Sequence, residues 1–215
     1  LIEIDAYASK EKCYFWSNKG IPVTIKSPDD EKITAQQKKY IEECFNNVLN
    51  KVFSDHFTHE DWGYYPYFDI DSFLKHFIIG ELSGNTDTYW SVYMYKERGD
   101  QKLYTGPVWD FDIAFDNDSR THNELNHPTG YLYSSGTASF AGGDNMQQFV
   151  TRIVRMDPVA KARLKEMWND LRDSGVITPE SLVQYVNDTE QYLDQSQKLN
   201  FTRWNNLNFN VNMNY

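Results

Sequence analysis

Apolar residues recur at helical spacing through Tyr40, Ile41, Cys44, Phe45, Val48, Leu49 and Val52, which predicts an amphipathic helix. Thr34, with Gln37 three residues later, reads as a capping box that fixes its start; the pattern carries to about Phe53. A second run, Phe73, Phe77, Ile78 and Leu82, is capped by Asp69 or Asp71 and stopped by Gly84. The stretch between them, residues 54–68, is rich in His, Asp and Tyr and reads as a linker. The period then changes. Val92, Tyr93, Met94 and Tyr95 are strand formers, Arg98-Gly99-Asp100 is a turn signal, and residues 103–109 resume an extended pattern broken by Gly106-Pro107, so a β-hairpin is predicted. Residues 116–143 hold Asn, Asp, Ser, Thr and several Gly without periodicity and read as a long loop or insertion. Helices resume near Asn145. Asp157-Pro158 and Thr178-Pro179 are cap-plus-proline starts, Gly175 ends the helix between them, and the last helix runs from Pro179 to about Leu199 before an Asn-rich tail. The prediction is a single α+β domain, mainly helical, built around one hairpin.

Composition changes this picture only at the edges. With 215 residues, 40% apolar and 16% aromatic content, the chain can bury one good core. A formal net charge of −10 repels nucleic-acid backbones and anionic membranes over a Debye length of about 8 Å. No apolar run approaches the ~18 residues that span a bilayer.

The chemistry concentrates on either side of the hairpin, in Asn85-Thr86-Asp87 and in Gly106-Pro107-Val108-Trp109-Asp110-Phe111-Asp112. Three carboxylates delivered by rigid elements make a cradle for a divalent cation that carries phosphates. Along an extended chain residues two apart face one side, so Asp110 and Asp112 are expected to point together while Trp109 and Phe111 pack away. Two like charges so placed need a magnesium ion or a basic side chain between them. The competing reading is a turn in which Asp110 caps the next segment and Asp112 is solvated.

The run ELSGNTDTYWSVYMYKERGDQKLYTGPVWDFDIAFDND, residues 81–118, resembles the signature region of the spore-coat-protein-H (CotH) kinase family of atypical, secreted or surface-associated protein kinases. LIEIDAY at the start, IPVTIKSPDDEKITAQQKKYI and DIDSFLKHFIIGEL are similar to that family as well. The resemblance implies an atypical protein-kinase-like C-lobe that uses ATP and Mg2+ to phosphorylate a protein Ser or Thr hydroxyl. In it Asp87 matches the catalytic-loop aspartate, which orients the substrate hydroxyl. Asp110 is the first candidate for the metal-holding aspartate, Asp112 the second, and Ser91 stands near where many such sites have a ligating Asn. Glu3 and Ile4, in the opening strand, resemble a hinge strand whose backbone meets an adenine ring, and Asn85 completes the set of nucleotide contacts. A secreted, periplasmic or cell-surface location is implied by the resemblance alone. Because the chain opens at the supposed hinge strand, an N-terminal lobe supplying a glycine-rich cover and a phosphate-binding Lys is expected to belong to the intact protein.

Two other classes of function stay open. Ser91 and Val92 in place of an Asn admit a kinase-shaped lobe without catalysis. The aromatic cluster Trp62, Tyr64, Tyr65, Tyr67 and Phe68 admits a surface adhesion or glycan-binding module; accessible Trp62 and Tyr64 on one flat face would favour it, burial would not. Cys13 and Cys44 could form one disulfide, although a buried free thiol is the commoner state for Cys44 on a helix's apolar face. The five histidines, His56, His59, His76, His122 and His127, lack zinc-site spacing and read as solvated loop residues. Asp116-Asn117-Asp118-Ser119 lacks the glycine and terminal Glu of an EF-hand loop and reads as a turn.

Overall fold

The computed structural model describes residues 1–115, 117 and 143–206. Its five-stranded antiparallel sheet has β1 (Ile2–Ile4) at the centre, β3 (Pro22–Ile25) and then β2 (Tyr14–Trp16) on one side, and β4 (Val92–Tyr95) and then β5 (Tyr104–Thr105) on the other. Register places Ile2 and Ile4 beside Ile25, Val23, Met94 and Val92 on one face. Glu3 lies beside Thr24 and Tyr93 on the opposite face. The first face is buried with the helices in a single hydrophobic core, the second is polar, and this alternation is what period-two patterning requires.

Helix α1 (Ala35–Val52) starts at the expected capping box, Thr34 accepting from the Gln37 N–H and Gln37 from the Thr34 N–H. Helix α2 (Ile70–Ser83) is capped by Asp69, not Asp71, and ends at Gly84, whose left-handed backbone (φ 65°) turns its N–H back to the carbonyls of Gly80 and Glu81. Past the 116–142 segment come α3 (Gly143–Thr151), a π-helical turn over Arg152–Met156, α4 (Pro158–Asp173) and α5 (Pro179–Arg203). The last two begin at the expected cap-plus-proline signals, and the mixed α+β class is as the pattern predicts. Apart from Asn117 and Gly143, the expected loop over 116–143, with His122 and His127 in it, lies outside the described residues, as does the tail beyond 206.

Three expectations are corrected or decided. The linker between α1 and α2 is folded into the core: Tyr64 is 0% exposed and Phe68 1%, whereas Trp62 is 65% exposed and stacks on the His59 imidazole at 4.2 Å. Trp62 and Tyr64 therefore share no flat accessible face. Both cysteines are free, Cys13 buried and Cys44 half-buried. His76 is not a loop residue; it is buried within α2.

Asp157 joins the linker to the C-terminal helices. Fully buried, it caps α4 by accepting from the N–H groups of Val159 (2.8 Å) and Ala160 (3.2 Å), and its other oxygen accepts both the Tyr64 and Tyr65 hydroxyls at 2.5 Å. Burial, then the hydrogen bond to this carboxylate, push both phenols well above their ordinary value.

Candidate functional site

Both acidic motifs emerge at one end of the hairpin. Because β4 and β5 are antiparallel, the residues just before Val92 and just after Thr105 are neighbours, and the Gly106 N–H donates to the Tyr93 carbonyl at 2.7 Å. Helix α2 feeds the first motif. Its opening turn is tied to the hairpin by the Thr105 N–H, which donates to Ser72 Oγ (3.0 Å), and by paired backbone bonds between Leu103 and the residues Tyr67 and Asp69 (both 2.9 Å). Its other end leads through Gly84 into the loop that holds Asp87.

That loop is short and internally bonded. Asn85 is buried; its side-chain oxygen accepts from the Asp87 N–H at 3.1 Å, and its carbonyl accepts the Thr88 N–H (3.0 Å) and hydroxyl (2.5 Å). The Asn85 N–H returns to the Gly80 carbonyl at 3.2 Å. Asn85 thus shapes the Asp87 turn with its side-chain oxygen. Behind the loop, His76 donates Nε2–H to the Thr88 carbonyl at 2.7 Å, and Gly80 lies so close that a Cβ there would overlap the Thr88 side chain. Burial lowers the His76 pKa, against the opposing pull of the Thr88 bond.

The second motif is not extended. Asp110 has a left-handed backbone (φ 57°), which overturns the expectation that a strand aligns Asp110 with Asp112. They are neighbours all the same: desolvation, then the charge of Asp112 and a hydrogen bond with it, raise the Asp110 pKa above its ordinary value. Trp109 is half-exposed, its ring 5.6 Å from that of Tyr93. The chain then turns back. The Phe115 N–H donates to the Ser83 carbonyl at 2.6 Å and Asn117 Nδ2 donates to the Asp112 carbonyl at 2.7 Å, tethering the segment that follows Asp112 to the end of α2 that launches the Asp87 loop.

Ser91, Asp110 and Phe115 all adopt φ near +56°, a region that costs a non-glycine residue about 1 to 3 kcal/mol and is retained where surrounding structure over-determines it. All three border the two motifs. Ser91, half-buried, stands between the Asp87 loop and β4.

The opening strand is used differently from the hinge reading. β1 is central, its backbone paired with β3 and β4 on both edges, so its peptide groups are committed to the sheet. Ile4 is wholly in the core, and the Glu3 carboxylate is held by Lys26 Nζ at 3.0 Å. Glu3 nonetheless belongs to the electrostatics of the site: burial, then the charges of Glu3, Asp110 and Asp5, raise the Tyr93 pKa, with Lys26 opposing. Among the described residues no group of three or more His, Cys, Asp or Glu is arranged to hold a metal ion; Asp110 and Asp112 form a pair.

The family model for CotH kinase protein matches residues 2–215. The chain belongs to the CotH kinase family. No curated protein and no solved structure matches it. For a CotH-family chain the hairpin, the Asp87 loop and the Asp110–Asp112 turn form the candidate site, and the sequence named each of these carboxylates. It did not single out His76 or Gly80. Both were legible: with Phe73 and Phe77 they occupy the i, i+3, i+4, i+7 face of α2, where a histidine and a glycine interrupt an otherwise apolar stripe. No helix among the described residues is long and apolar enough to cross a membrane.

Proposed function

We propose that the chain is the catalytic lobe of a CotH-like protein kinase that transfers the γ-phosphate of ATP to a protein Ser or Thr hydroxyl. The observation that carries this reading is the convergence at one end of the hairpin: the Asp87 loop enters there, the Asp110–Asp112 turn leaves there, and the Phe115–Ser83 bond ties the second back to the first. Asp87 would accept the hydrogen bond of the acceptor hydroxyl and take its proton late in transfer. Asp110 and Asp112 would hold Mg2+, with Ser91 as a weaker oxygen ligand.

The donor set fits that ion. Magnesium is commonly held by one or two carboxylates together with substrate phosphates rather than by an all-protein cage, and a pair of carboxylates in mutual contact is short of a counter-charge. Mg-ATP, when bound, would supply the transferable phosphoryl group, and its metal ion would neutralise the charge that develops there. The remaining contribution of the chain is positioning, through the Asn85 turn and the anchorage of that turn on α2. Glu3 would act through the field around Tyr93 and Asp110, while Ile4 supports the sheet from the core. A surface or secreted setting is the one the family suggests.

The test is phosphoryl transfer by the full-length protein. Asp87→Ala and Asp110→Ala are each expected to abolish it while thermal unfolding stays cooperative; full activity in either variant would sink the assignment.

A further inference from the structure

We infer that His76 is a positioning residue for the Asp87 loop, its Nε2–H gripping the Thr88 carbonyl so that the backbone beside Asp87 has one place to lie. The inference rests on the role given to Asp87 above. Four observations carry it. The bond is short, 2.7 Å, and joins α2 to the far side of a loop whose near side is held by the Asn85 N–H bond to the Gly80 carbonyl. Among the described residues no other group donates to that carbonyl. His76 is 7% exposed and its second ring nitrogen, Nδ1, finds no partner among the described residues, so the imidazole is held in a costly place for the sake of one hydrogen bond, a buried acceptor without a donor being unfavourable. Finally, Gly80, one turn further along α2, lets Thr88 approach closer than any Cβ would allow; helix and loop are shaped to each other on both sides of the Thr88 peptide.

The chemistry fixes the state of the ring. To donate from Nε2 with Nδ1 unpartnered, the imidazole is the neutral Nε2–H tautomer. Burial, which lowers the His76 pKa, keeps it so. A leucine of similar bulk would fill the space and leave the Thr88 carbonyl without its donor. A glutamine, whose amide nitrogen reaches about as far along the side chain as Nε2, would restore the donor without the ring.

The experiment compares His76→Leu and His76→Gln in the full-length protein by amide hydrogen exchange and by steady-state phosphoryl transfer. Exchange is read at Asp87, Thr88 and Trp90, whose N–H groups close the loop. In His76→Leu these three are expected to exchange at least about tenfold faster, the loss anticipated for one buried hydrogen bond, while amides of α1 and the sheet keep their protection. His76→Gln restores loop protection. In turnover, His76→Leu lowers kcat about 10- to 100-fold with KM for Mg-ATP within twofold, because misplacing a catalytic group acts on the chemical step, and His76→Gln recovers most of it. Unchanged loop exchange in His76→Leu, loss of protection spread evenly over the molecule, or no difference between Leu and Gln would each overturn the inference. If the unmodified protein transfers no phosphate, the function proposed for Asp87 falls, and loop exchange alone still decides whether His76 positions the loop.

Discussion

Replacing Gly80 with Ala separates two opposite expectations. Glycine inside a helix costs about 1 kcal/mol relative to alanine, so Gly80→Ala at an open position would stabilise α2 by that amount. Here the new Cβ would fall on Cγ2 and Oγ1 of Thr88 and 2.8 Å from its Cβ. Rotating Thr88 about χ1 relieves at most one of the first two contacts, because two of the three staggered positions always hold a heavy atom, and it sacrifices the hydroxyl bond to the Asn85 carbonyl. The third contact remains, because Cβ does not move with χ1. Ordinary carbon–carbon separations are about 3.5 to 4.0 Å, so the loop must retreat by roughly 1 Å. Overpacking of this kind costs about 1 to 3 kcal/mol and the lost hydrogen bond about 1 kcal/mol, set against the ~1 kcal/mol of helix propensity. The net expectation is destabilisation by about 1 to 3 kcal/mol, with kcat down about 10²-fold, since a displacement near 1 Å at a catalytic group has that effect. Urea unfolding measures the first and phosphoryl transfer by the full-length protein the second. A Gly80→Ala/Thr88→Gly double variant, which removes the struck Cβ, should recover more than about 1 kcal/mol relative to the sum of the single changes. Stabilisation by Gly80→Ala with full turnover would refute the reasoning.

Other consequences are simpler to state. Asp157→Ala removes a helix cap and strands two tyrosine hydroxyls, and should cost about 3 kcal/mol or more in chemical unfolding; a loss under ~1 kcal/mol would mean the Tyr64–Asp157–Tyr65 cluster is dispensable. Asp110 has a raised folded-state pKa, so its ionisation opposes folding as pH rises above the unfolded value. Metal-free Asp110→Asn should therefore melt at or above the parent's temperature near pH 7, the gap closing as pH falls and the parent's carboxyl protonates, as calorimetry would register. Asp71 is the reverse case: its hydrogen bond to Arg163, with burial opposing, lowers its pKa, so the α2–α4 tie it makes (2.8 Å) stabilises above the ordinary carboxylate range and is lost as pH falls through the lowered value. Both partners are more than a third exposed, so Arg163→Met should cost only about 0.5 kcal/mol at pH 7 and nothing near pH 2.

Where the sequence was read well, the signal was local and chemical. The Thr34–Gln37 box, the Asp69 cap, the Gly84 stop and both cap-plus-proline starts each state their own geometry within a few residues, and each is found in place. The hairpin was legible for the same reason. Strands β2 and β3 escaped because three or four residues carry no measurable period, and β3 is buried at every position. The place of β1 at the centre of the sheet depends on partners about 20 and about 90 residues away, which no local pattern reports. An extended chain would align Asp110 with Asp112; a left-handed turn at Asp110 brings the two together instead. Residue type alone makes His76 a loop histidine; its place on the apolar face of α2, beside Phe73 and Phe77, is what buries it.

The central claim is that Asp110 and Asp112 hold a magnesium ion that carries ATP, and it is tested most directly by calorimetric titration of ATP into the full-length protein with and without Mg2+, beside the Asp110→Ala variant. Binding is expected to require Mg2+ and to be lost in the variant. Binding of equal strength without the metal, or undiminished in Asp110→Ala, would contradict it.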